Sequence, residues 1–389
     1  MTQEKTFDVV VYGASGFTGR LVAEYLYNRY GDAGEVRWAM AGRNVDKLAT
    51  VRAEVGIPDT IPLITADGSD RDSLNAMAAQ TRAIITTVGP YQMYGNLLVD
   101  VCAKTGTDYL DLCGEPAWMR QMIDAHEATA KQSGARIVFS AGFDSIPFDC
   151  GVWLLQQHCI AADGKPSSRI RGRVRKMQGT FSGGTAASFK ATMAAARDPE
   201  ILALLRNPFS LVPGFTGADQ PHGNKPMYDE VVGSWVTPFI MATINTRNVH
   251  RSNALTGFAY GEDFVYDEML MTGPGEKGEQ IAKALADRDD MSSSDSPKPG
   301  EGPSKEEREA GHYDVLFVAE RDGDPLQLVV TGDRDPGYGS TSKMLAEAAL
   351  CLVKDSASTP AGIWTPAAAM GQALIDRLIA NAGLTFDKV

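Results

Sequence analysis

A glycine-rich turn near the start of the chain is the feature best suited to bind a phosphate-bearing ligand. The run Gly13–Gly19 (GASGFTG) directly follows the apolar segment Phe7–Tyr12 and opens a stretch whose apolar residues have helical spacing. Gly13 permits a tight turn, Gly16 lets a pyrophosphate approach the backbone, and Gly19 lets the helix pack closely on a sheet. The free N–H groups at the start of that helix favour phosphates. We therefore predict a dinucleotide site formed by Gly13, Ser15, Gly16, Phe17, Thr18 and Gly19.

The end of the second predicted strand indicates which dinucleotide is bound. Val36–Ala41 is followed by Gly42-Arg43-Asn44, without the Asp or Glu that accepts from the ribose 2′-hydroxyl in sites for NAD. Arg43 can instead form a charge-assisted fork with a 2′-phosphate, and Lys47 follows one helical turn later. The residues therefore favour NADP(H). The alternative is that Arg43 is a solvated surface charge.

Two later turns are expected to extend the cofactor site. Asp67 follows the third predicted strand, Ile61–Thr65, and can accept a hydrogen bond from the adenine amino group. Gly89 and Pro90 follow the fourth, Ala83–Val88, at the carboxyl edge where ligands lie in open α/β sheets. The alternative for Gly89-Pro90 is an ordinary loop.

The elements that must position these turns alternate between strand and helix over the first 150 residues. This rhythm, with short apolar strands, predicts an α/β fold with a Rossmann-type, doubly wound parallel sheet. The predicted strands are Phe7–Tyr12, Val36–Ala41, Ile61–Thr65, Ala83–Val88, Asp108–Leu112 and Arg136–Ser140.

The alternation stops after about residue 158, and strands then follow one another with few helices. This succession predicts a second α+β domain built on a mostly antiparallel sheet. Two helices, Ser342–Val353 and Ala367–Ala382, close the chain. The predicted strands of the second sheet are Arg169–Gln178, Val236–Asn245, Ala254–Tyr260, Tyr313–Ala319 and Leu326–Thr331.

Three domains follow from these patterns. We predict an NADP-binding domain over residues 1–150, an α+β substrate or oligomerisation domain over 151–335, and C-terminal helices over 336–389 that pack back on the first domain. Asp287–Gly311 is rich in Ser, Pro, Gly and charge, so we predict a mobile loop there. It is either a linker or a lid over a substrate pocket.

Two polar stretches in the second domain are further candidates for binding. Asn245–Ser252, interpreted as a strand, places Arg247, Val249 and Arg251 on one face and Asn248, His250 and Ser252 on the other. One face can line the substrate cleft and bind a carboxylate or a carrier-linked thioester, or the stretch is a solvated strand face. Ser182–Thr185 is either a helix N-terminus facing an anionic group or a plain capped helix start.

Composition excludes several classes of protein. A formal net charge of −12 over 389 residues argues against a general nucleic-acid binder. The five cysteines form no C-x-x-C pair, and with no secretory signal they indicate a reduced, cytoplasmic protein. No run of about 18 apolar residues predicts a transmembrane segment, which leaves peripheral membrane contact open.

Two kinds of dehydrogenase chemistry lack their residues. No tyrosine has a lysine four positions later, so the Tyr-x-x-x-Lys pair of short-chain dehydrogenases is missing. The five histidines are dispersed, so we predict no metal site.

Taken together, the motifs resemble those of the saccharopine dehydrogenase-like oxidoreductases. They are GASGFTG, AGR at residues 41–43, TTVGPY at 86–91, YLDLCGE at 109–115 and AGFDSIPFD at 141–149. GEGPS at 300–304, GYGSTSKMLAEAALCLV at 337–353 and GIWTPAAAMG at 362–371 resemble the branch named trans-acting enoyl reductases. The resemblance implies a Rossmann domain with an inserted α+β domain and a nicotinamide cofactor. It also implies reduction of a carbon–carbon double bond in a polyketide- or lipid-like chain.

Such a reduction needs a donor to polarise a carbonyl and a proton for the α-carbon. At the carboxyl edge of the sheet, Tyr91 or Ser145 can donate to the carbonyl, and Asp144 can orient either or relay a proton. Alternatively, Asp144 and Ser145 simply cap the helix that follows. Cys113 is a less favoured candidate, as a nucleophile, because no covalent step is needed.

Three functions remain open from the sequence. The leading one is an NADPH-dependent reductase of a small-molecule or carrier-linked enoyl substrate, and a homodimer is compatible with it. The second is a saccharopine-type amino-acid dehydrogenase acting on a C–N bond, for which the second domain offers many arginines. The third is a non-catalytic, NADP-binding, lipid-associated protein. The arginines in question are Arg169, Arg171, Arg173, Arg175, Arg247 and Arg251.

Overall fold

Two seven-stranded sheets organise the computed structural model, which describes residues 4–32, 34–180, 182–287 and 300–389. In chain order the strands are β1 (Phe7–Tyr12), β2 (Trp38–Gly42), β3 (Leu63–Thr65), β4 (Thr81–Thr86), β5 (Asp108–Leu110), β6 (Arg136–Val138), β7 (Arg169–Gln178), β8 (Met227–Asp229), β9 (Ser234–Pro238), β10 (Val265–Gly273), β11 (His312–Ala319), β12 (Leu326–Gly332), β13 (Gly362–Trp364) and β14 (Leu384–Lys388).

Helices connect and cover these strands. In chain order they are α1 (Phe17–Tyr30), α2 (Val45–Glu54), α3 (Arg71–Gln80), α4 (Tyr91–Tyr94), α5 (Asn96–Thr105), α6 (Pro116–Ser133), α7 (Ile146–Asp163), α8 (Gly183–Ala195), α9 (Pro199–Arg206), α10 (Ala242–Leu255), α11 (Gly275–Ala286), α12 (Lys305–Ala310), α13 (Thr341–Leu350) and α14 (Pro366–Arg377). Short π-helical segments cover Pro336–Ser340, Cys351–Asp355 and Leu378–Ala382. Within the described residues, no helix has the length and apolar character needed to cross a membrane.

The first sheet is parallel throughout, in the order β13-β6-β5-β4-β1-β2-β3. Its central strand β1 is buried along its whole length, as expected of a strand covered by helices on both faces. The predicted Rossmann-type sheet is confirmed. Strand β13, which pairs with β6 at one edge of this sheet, comes from the C-terminal segment, and the sequence analysis did not predict it.

The second sheet follows the order β14-β12-β11-β7-β10-β9-β8. Among the strand pairs of the described residues, only β7–β10 is parallel in this sheet, so the prediction of a mostly antiparallel sheet is confirmed. Helix α7 packs against β11 and β12, while α13 packs against β1, β4 and β5. One buried hydrophobic cluster therefore continues from the first sheet into the second.

The stretch Asn245–Ser252 was predicted as a strand, and this prediction is wrong. The residues lie in α10, and the preceding strand β9 ends at Pro238. The predicted strand Ala254–Tyr260 is likewise the end of α10 and a loop. The error arose because α10 buries polar side chains, so its interior face has no apolar residues at helical spacing to reveal the period.

The predicted mobile loop Asp287–Gly311 lies partly outside the described residues. Within its described part, Lys305–Ala310 forms α12, which begins with a capping box between Ser304 and Glu307. That part of the loop prediction is therefore wrong. The signal was in the sequence, since Ser-x-x-Glu before a run of helix formers is an N-terminal signature.

The C-terminal segment contributes to both sheets, through β13 in the first and β14 in the second. Before β13, α13 packs against α1, where buried Glu347 accepts hydrogen bonds from the hydroxyls of Tyr25 (2.6 Å) and Tyr30 (2.7 Å). Arg377 of α14 donates to the same carboxylate at 2.6 Å. The domain limits at residues 150 and 335 stay a prediction.

We expect Glu347→Gln to lower the free energy of unfolding by about 3 kcal/mol, because it removes the buried charge that Tyr25, Tyr30 and Arg377 bind and leaves Arg377 with the more exposed Asp355 as its remaining charge partner. Urea unfolding followed by circular dichroism measures this effect. Glu262→Gln, at an exposed position, is the matched control and should change stability by less than about 0.5 kcal/mol. Equal stabilities for the two variants would contradict the prediction.

Candidate active site

The glycine turn after β1 has the backbone shape that a dinucleotide requires. Gly13 has φ +87°, and a Cβ there would lie 2.7 Å from Val88 Cγ2 and 2.9 Å from Thr87 Oγ1. A Cβ at Gly19 would collide with the carbonyl oxygen of Gly13. Neither position accepts a larger residue, so the turn and the first turn of α1 stay in close contact with the end of β4.

The N-terminus of α1 is open to a ligand. Gly16 is its N-cap residue and is exposed, and no side chain caps the helix. Ser15, Phe17 and Thr18 are half-buried around it. The first N–H groups of α1 thus remain able to bind an anion, as the sequence predicts for the cofactor phosphates.

Two exposed cations stand beyond the end of β2. The side chains of Arg43 and Lys47 have no hydrogen bond or ion pair with any residue that the structure describes. Asn44 caps α2 by accepting from the Lys47 N–H at 2.9 Å. The carboxylate of Asp67 accepts from the N–H and hydroxyl of Ser69, which lowers its pKa and keeps it an acceptor. This arrangement suits a 2′-phosphate beside Arg43.

Tyr91 is the first residue of α4 and follows the Gly89-Pro90 turn. It is buried, its hydroxyl donates to the Thr86 carbonyl at 3.2 Å, and it accepts from the Leu112 N–H at 3.4 Å. The carboxylate of Glu115 accepts from the Tyr91 N–H at the start of α4. The Tyr91 hydroxyl is thus bound to protein groups in this structure, and its role in polarising a substrate carbonyl stays a prediction.

The turn between β6 and α7 places Asp144 at the carboxyl edge of the sheet. A Cβ on Gly114, just after β5, would lie 3.9 Å from Asp144 Oδ2. The Oδ1 atom is buried without a hydrogen-bond partner among the described residues. Burial raises the pKa of Asp144 to about 7. Near neutral pH this carboxyl can therefore hold a proton and release it.

Neither Asp144 nor Ser145 caps α7, although both are residue types that do so. Ser145 stands at the N-cap position with no side-chain cap, and its Oγ accepts from Asn248 Nδ2 at 2.8 Å. The capping alternative from the sequence is therefore wrong. Ser145 instead links the turn to α10.

Close to this turn lie two asparagines of the candidate stretch Asn245–Ser252 and one residue that the sequence analysis missed, Glu268. Asn245 and Asn248 are three residues apart on α10, and each has an Oδ1 atom that is buried and has no partner in the described part of the chain. Asn245 Nδ2 donates to Glu268 Oε2 at 2.8 Å, and Tyr266 donates to Glu268 Oε1 at 2.9 Å. A correct helix prediction for α10 would have placed both asparagines on one face.

The motifs of the C-terminal half converge on the glycine turn. The rings of Phe17 and Tyr338 form a T-shaped pair with centroids 5.2 Å apart, and the guanidinium of Arg308 lies over the Phe17 ring, 5.7 Å from its centroid. Tyr338 accepts from Thr185 or donates to it at 2.8 Å, and the Gly183 N–H donates to the Glu301 carbonyl at 3.2 Å. Some of the hydrogen-bonding groups at the start of α8 are thus paired with other residues of the protein. A Cβ on Gly89 would lie 3.7 Å from Ser188 Oγ, so α8 also borders the Gly89-Pro90 turn.

The arginines of β7 face acids. The pairs are Arg169–Asp267, Arg171–Glu320, Arg173–Asp229 at 2.8 Å and Arg175–Asp314 at 2.7 Å.

The two arginines of α10 are also committed to protein groups. Arg247 donates to the carbonyl oxygens of Thr243 and Leu205, and Arg251 to those of Leu211 and Ile363. None of the six arginines considered for a carboxylate substrate is therefore free within the described structure.

Cys113 and His250 are also buried in the protein interior. Burial and the nearby Asp111 and Glu115 raise the pKa of the Cys113 thiol well above its usual value, which disfavours a thiolate nucleophile. Burial lowers the pKa of His250 to about 3, and its Nε2 lies 3.1 Å from Gln220 Oε1. All five cysteines are buried and unpaired.

Comparison with known proteins connects this site to a family. Residues 9–138 match the family described as the saccharopine dehydrogenase NADP binding domain. A Mycobacterium tuberculosis protein with the provisional designation of trans-acting enoyl reductase is 41% identical over 405 residues, covering 96% of each chain. A Mycobacterium bovis protein named trans-acting enoyl reductase is 38% identical over 408 residues, again covering 96% of each.

A solved structure supports the fold alone. The apo saccharopine dehydrogenase (L-Glu forming) of Saccharomyces cerevisiae has a TM-score of 0.56 and 11% sequence identity with this chain. The comparison covers 98% of this chain and 100% of that one. Both the first and the second sheet therefore belong to a known arrangement.

We expect Arg43→Ala to weaken NADPH binding by about tenfold to a hundredfold, because a charge-assisted contact with the 2′-phosphate is lost. NADH lacks that phosphate, so its dissociation constant should change by less than about twofold. Fluorescence titration with both nucleotides measures this difference. Arg206→Ala, at another exposed arginine, is the control. Equal losses for both nucleotides would exclude the 2′-phosphate role of Arg43.

Proposed function

The chain belongs to the saccharopine dehydrogenase-like oxidoreductases, in the branch of the trans-acting enoyl reductases, and from this premise we propose that it reduces the carbon–carbon double bond of an α,β-unsaturated acyl thioester. It is an NADP(H)-dependent oxidoreductase. The observation that carries the finer proposal is Asp144, a half-buried residue at the carboxyl edge of the first sheet with a buried, unpartnered Oδ1 atom and a pKa raised to about 7.

The turn after β1 and the cations after β2 are the proposed cofactor-binding residues. NADPH, when bound, supplies the hydride for the β-carbon. Of the protein groups, the N–H groups at the start of α1 would bind the pyrophosphate, and Arg43 would bind the 2′-phosphate. Asp67 would accept from the adenine amino group. The full set is Gly13, Ser15, Gly16, Phe17, Thr18, Gly19, Arg43, Asp67, Gly89 and Pro90.

Asp144 is the proposed proton donor. Reduction of a conjugated double bond leaves the α-carbon needing a proton, and a carboxyl with a pKa near the working pH delivers one efficiently. Ser145 holds Asn248 beside it and fixes the position of the turn. Its hydroxyl is fully buried and keeps a hydrogen to donate, so Ser145 is the proposed donor to the substrate carbonyl, with Tyr91 as the alternative.

The pairing of the arginines favours this function over a saccharopine-type reaction on a C–N bond. A substrate with several carboxylates needs free cations in the cleft. The arginines of β7 are paired with Asp229, Asp267, Asp314 and Glu320, so binding such a substrate would require breaking these pairs. An acyl thioester has no carboxylate, so its binding does not require these ion pairs to break. The carrier-linked form of the substrate, the homodimer and the cytoplasmic location stay predictions.

We expect the purified protein to oxidise NADPH with a medium-chain enoyl N-acetylcysteamine thioester and not with pairs of a 2-oxo acid and an amine. Loss of NADPH absorbance measures both reactions. Activity with the second set alone would replace the enoyl function by the C–N function. Tight NADPH binding without either activity would favour the non-catalytic, lipid-associated alternative.

We expect Asp144→Asn to lower kcat by about a hundredfold or more with the enoyl thioester, because the amide cannot release a proton. The dissociation constant of NADPH should stay within about twofold of the wild-type value. In the wild-type protein kcat should fall as pH rises through about 7, where Asp144 loses its proton. A wild-type alkaline limb that persists unchanged in the variant would assign the proton to another group.

A further inference from the structure

Arg20, near the start of α1, is a half-buried arginine without a partner. Its side chain forms no hydrogen bond or ion pair with any residue in the described ranges, and its Nε atom is buried and unsatisfied. Arg43, Arg197 and Arg206 also have no hydrogen bond or ion pair with a described residue, but all three are exposed, so water can satisfy their donors. A buried guanidinium N–H needs an acceptor, and the surroundings of Arg20 do not supply one.

Arg20 lies where the glycine turn becomes a helix. Its N–H donates to the Gly16 carbonyl at 3.1 Å, so the three N–H groups ahead of it come before the first i→i−4 bond of α1. They belong to Phe17, Thr18 and Gly19, and they are the groups proposed to bind the pyrophosphate. At about 1.5 Å per residue, the Cα atom of Arg20 lies about 4.5 Å along the helix axis from that of Phe17. An arginine side chain is long enough to span this distance.

The flank of α1 that carries Arg20 lies between two faces that have protein neighbours. Gly19 faces the sheet, since a Cβ there would collide with the Gly13 carbonyl oxygen. The Phe17 ring packs against Tyr338. Around the helix axis Arg20 is about 100° from Gly19 and about 60° from Phe17. Because helical side chains lean toward the helix N-terminus, the Arg20 side chain can reach the glycine turn from this flank.

The charge of Arg20 is unfavourable at this end of a helix unless an anion is present. The start of a helix carries a partial positive charge, and acidic residues are favoured there. Asp46, Asp72 and Glu200 supply such acids in α2, α3 and α9, whereas α1 has no acid in its first turn. Glu24, one turn beyond Arg20, forms no ion pair with it in the described structure. A bound phosphate would supply the missing counter-charge.

We propose that Arg20 binds the pyrophosphate of the nicotinamide dinucleotide, together with the N–H groups at the start of α1. Its guanidinium donates to the phosphate oxygens through parallel N–H groups, a contact that is strong where it is shielded from water. The proposal deepens the proposed cofactor site and does not depend on the enoyl substrate. Arg43 binds the 2′-phosphate, which only NADP(H) carries, whereas the pyrophosphate is common to NADP(H) and NAD(H).

Three nucleotides separate the roles of the two arginines in calorimetric titrations of the full-length protein. NADPH has both phosphate groups, NADH has the pyrophosphate alone, and adenosine 2′-monophosphate has the 2′-phosphate alone. We expect Arg20→Ala to weaken NADPH and NADH alike, by about tenfold to a hundredfold, because a charge-assisted contact is lost. Its dissociation constant for adenosine 2′-monophosphate should stay within about twofold of the wild-type value. Arg43→Ala should instead weaken NADPH and adenosine 2′-monophosphate and leave NADH unchanged.

Arg206→Ala is the matched control, because it also removes an arginine without a partner among the described residues, and all three dissociation constants should stay within about twofold. Unchanged affinity of Arg20→Ala for both dinucleotides would overturn the proposal. An equal loss for adenosine 2′-monophosphate would overturn it too, because it would indicate a distorted turn. If the wild-type protein binds neither dinucleotide, the cofactor site itself is wrong, and not only the role of Arg20.

The stability of the cofactor-free protein distinguishes a residue that binds a ligand from one that supports the fold. Because Arg20 has no protein partner, Arg20→Ala should leave the melting temperature of the cofactor-free protein unchanged or raise it. The increase caused by a fixed concentration of NADPH should shrink. A fall of several degrees without cofactor, or failure to fold, would assign Arg20 to the fold and overturn the proposal. Arg20→Lys keeps the charge without the planar fork and should weaken both dinucleotides less than Arg20→Ala does.

Discussion

Buried Asp149 joins three helices at the centre of the molecule, and the geometry of the candidate site depends on it. It lies in the first turn of α7, and its carboxylate accepts from the hydroxyl of Ser252 on α10 and from the Ala367 N–H at the start of α14 at 2.8 Å. These donors offset part of the desolvation that raises its pKa to about 7. The contact fixes α7 and α10 relative to each other. The turn with Asp144, which precedes α7, and the asparagines of α10 are therefore held close to each other.

The buried polar side chains of α10 are of two kinds. Arg247, Arg251 and Ser252 direct their donors to backbone carbonyls or to Asp149, and these contacts hold the helix against its neighbours. Asn245 and Asn248, on the side toward Asp144, keep an acceptor without a partner in the described structure. An unpaired buried polar atom costs free energy, and Arg251 Nε shares this property with the two asparagines. The asparagines differ from Arg251 in leaving an acceptor, and not a donor, without a partner.

How much could be predicted from the sequence depended on how local the determining interactions are. The glycine turn could be predicted because strand, turn and helix are consecutive, and the collision between Gly19 and Gly13 lies within one loop. The buried environment of Tyr91 could not be predicted, because the partners of its hydroxyl depend on how β5 packs beside β4. Glu268 was missed for the same reason, since its neighbours come from α10, β7 and the β6–α7 turn. The strand prediction for α10 failed because tertiary partners, and not apolar periodicity, stabilise its buried face.

The same dependence on tertiary neighbours explains why the arginines of β7, seen in the sequence alone, suggested a site for a substrate with carboxylates. A row of alternating arginines on a strand suggests a surface for anions, but whether it binds a ligand depends on what the neighbouring strands place opposite. The adjacent strands β10 and β11 supply Asp267 and Asp314, and Asp229 comes from β8, so the charges cancel within the sheet. Arg43 forms no ion pair with a described residue, although the charges of Arg43 and Asp67 interact. An arginine is thus informative about a ligand where the topology leaves it without a paired acid, a condition that Arg43 meets within the described residues and the arginines of β7 do not.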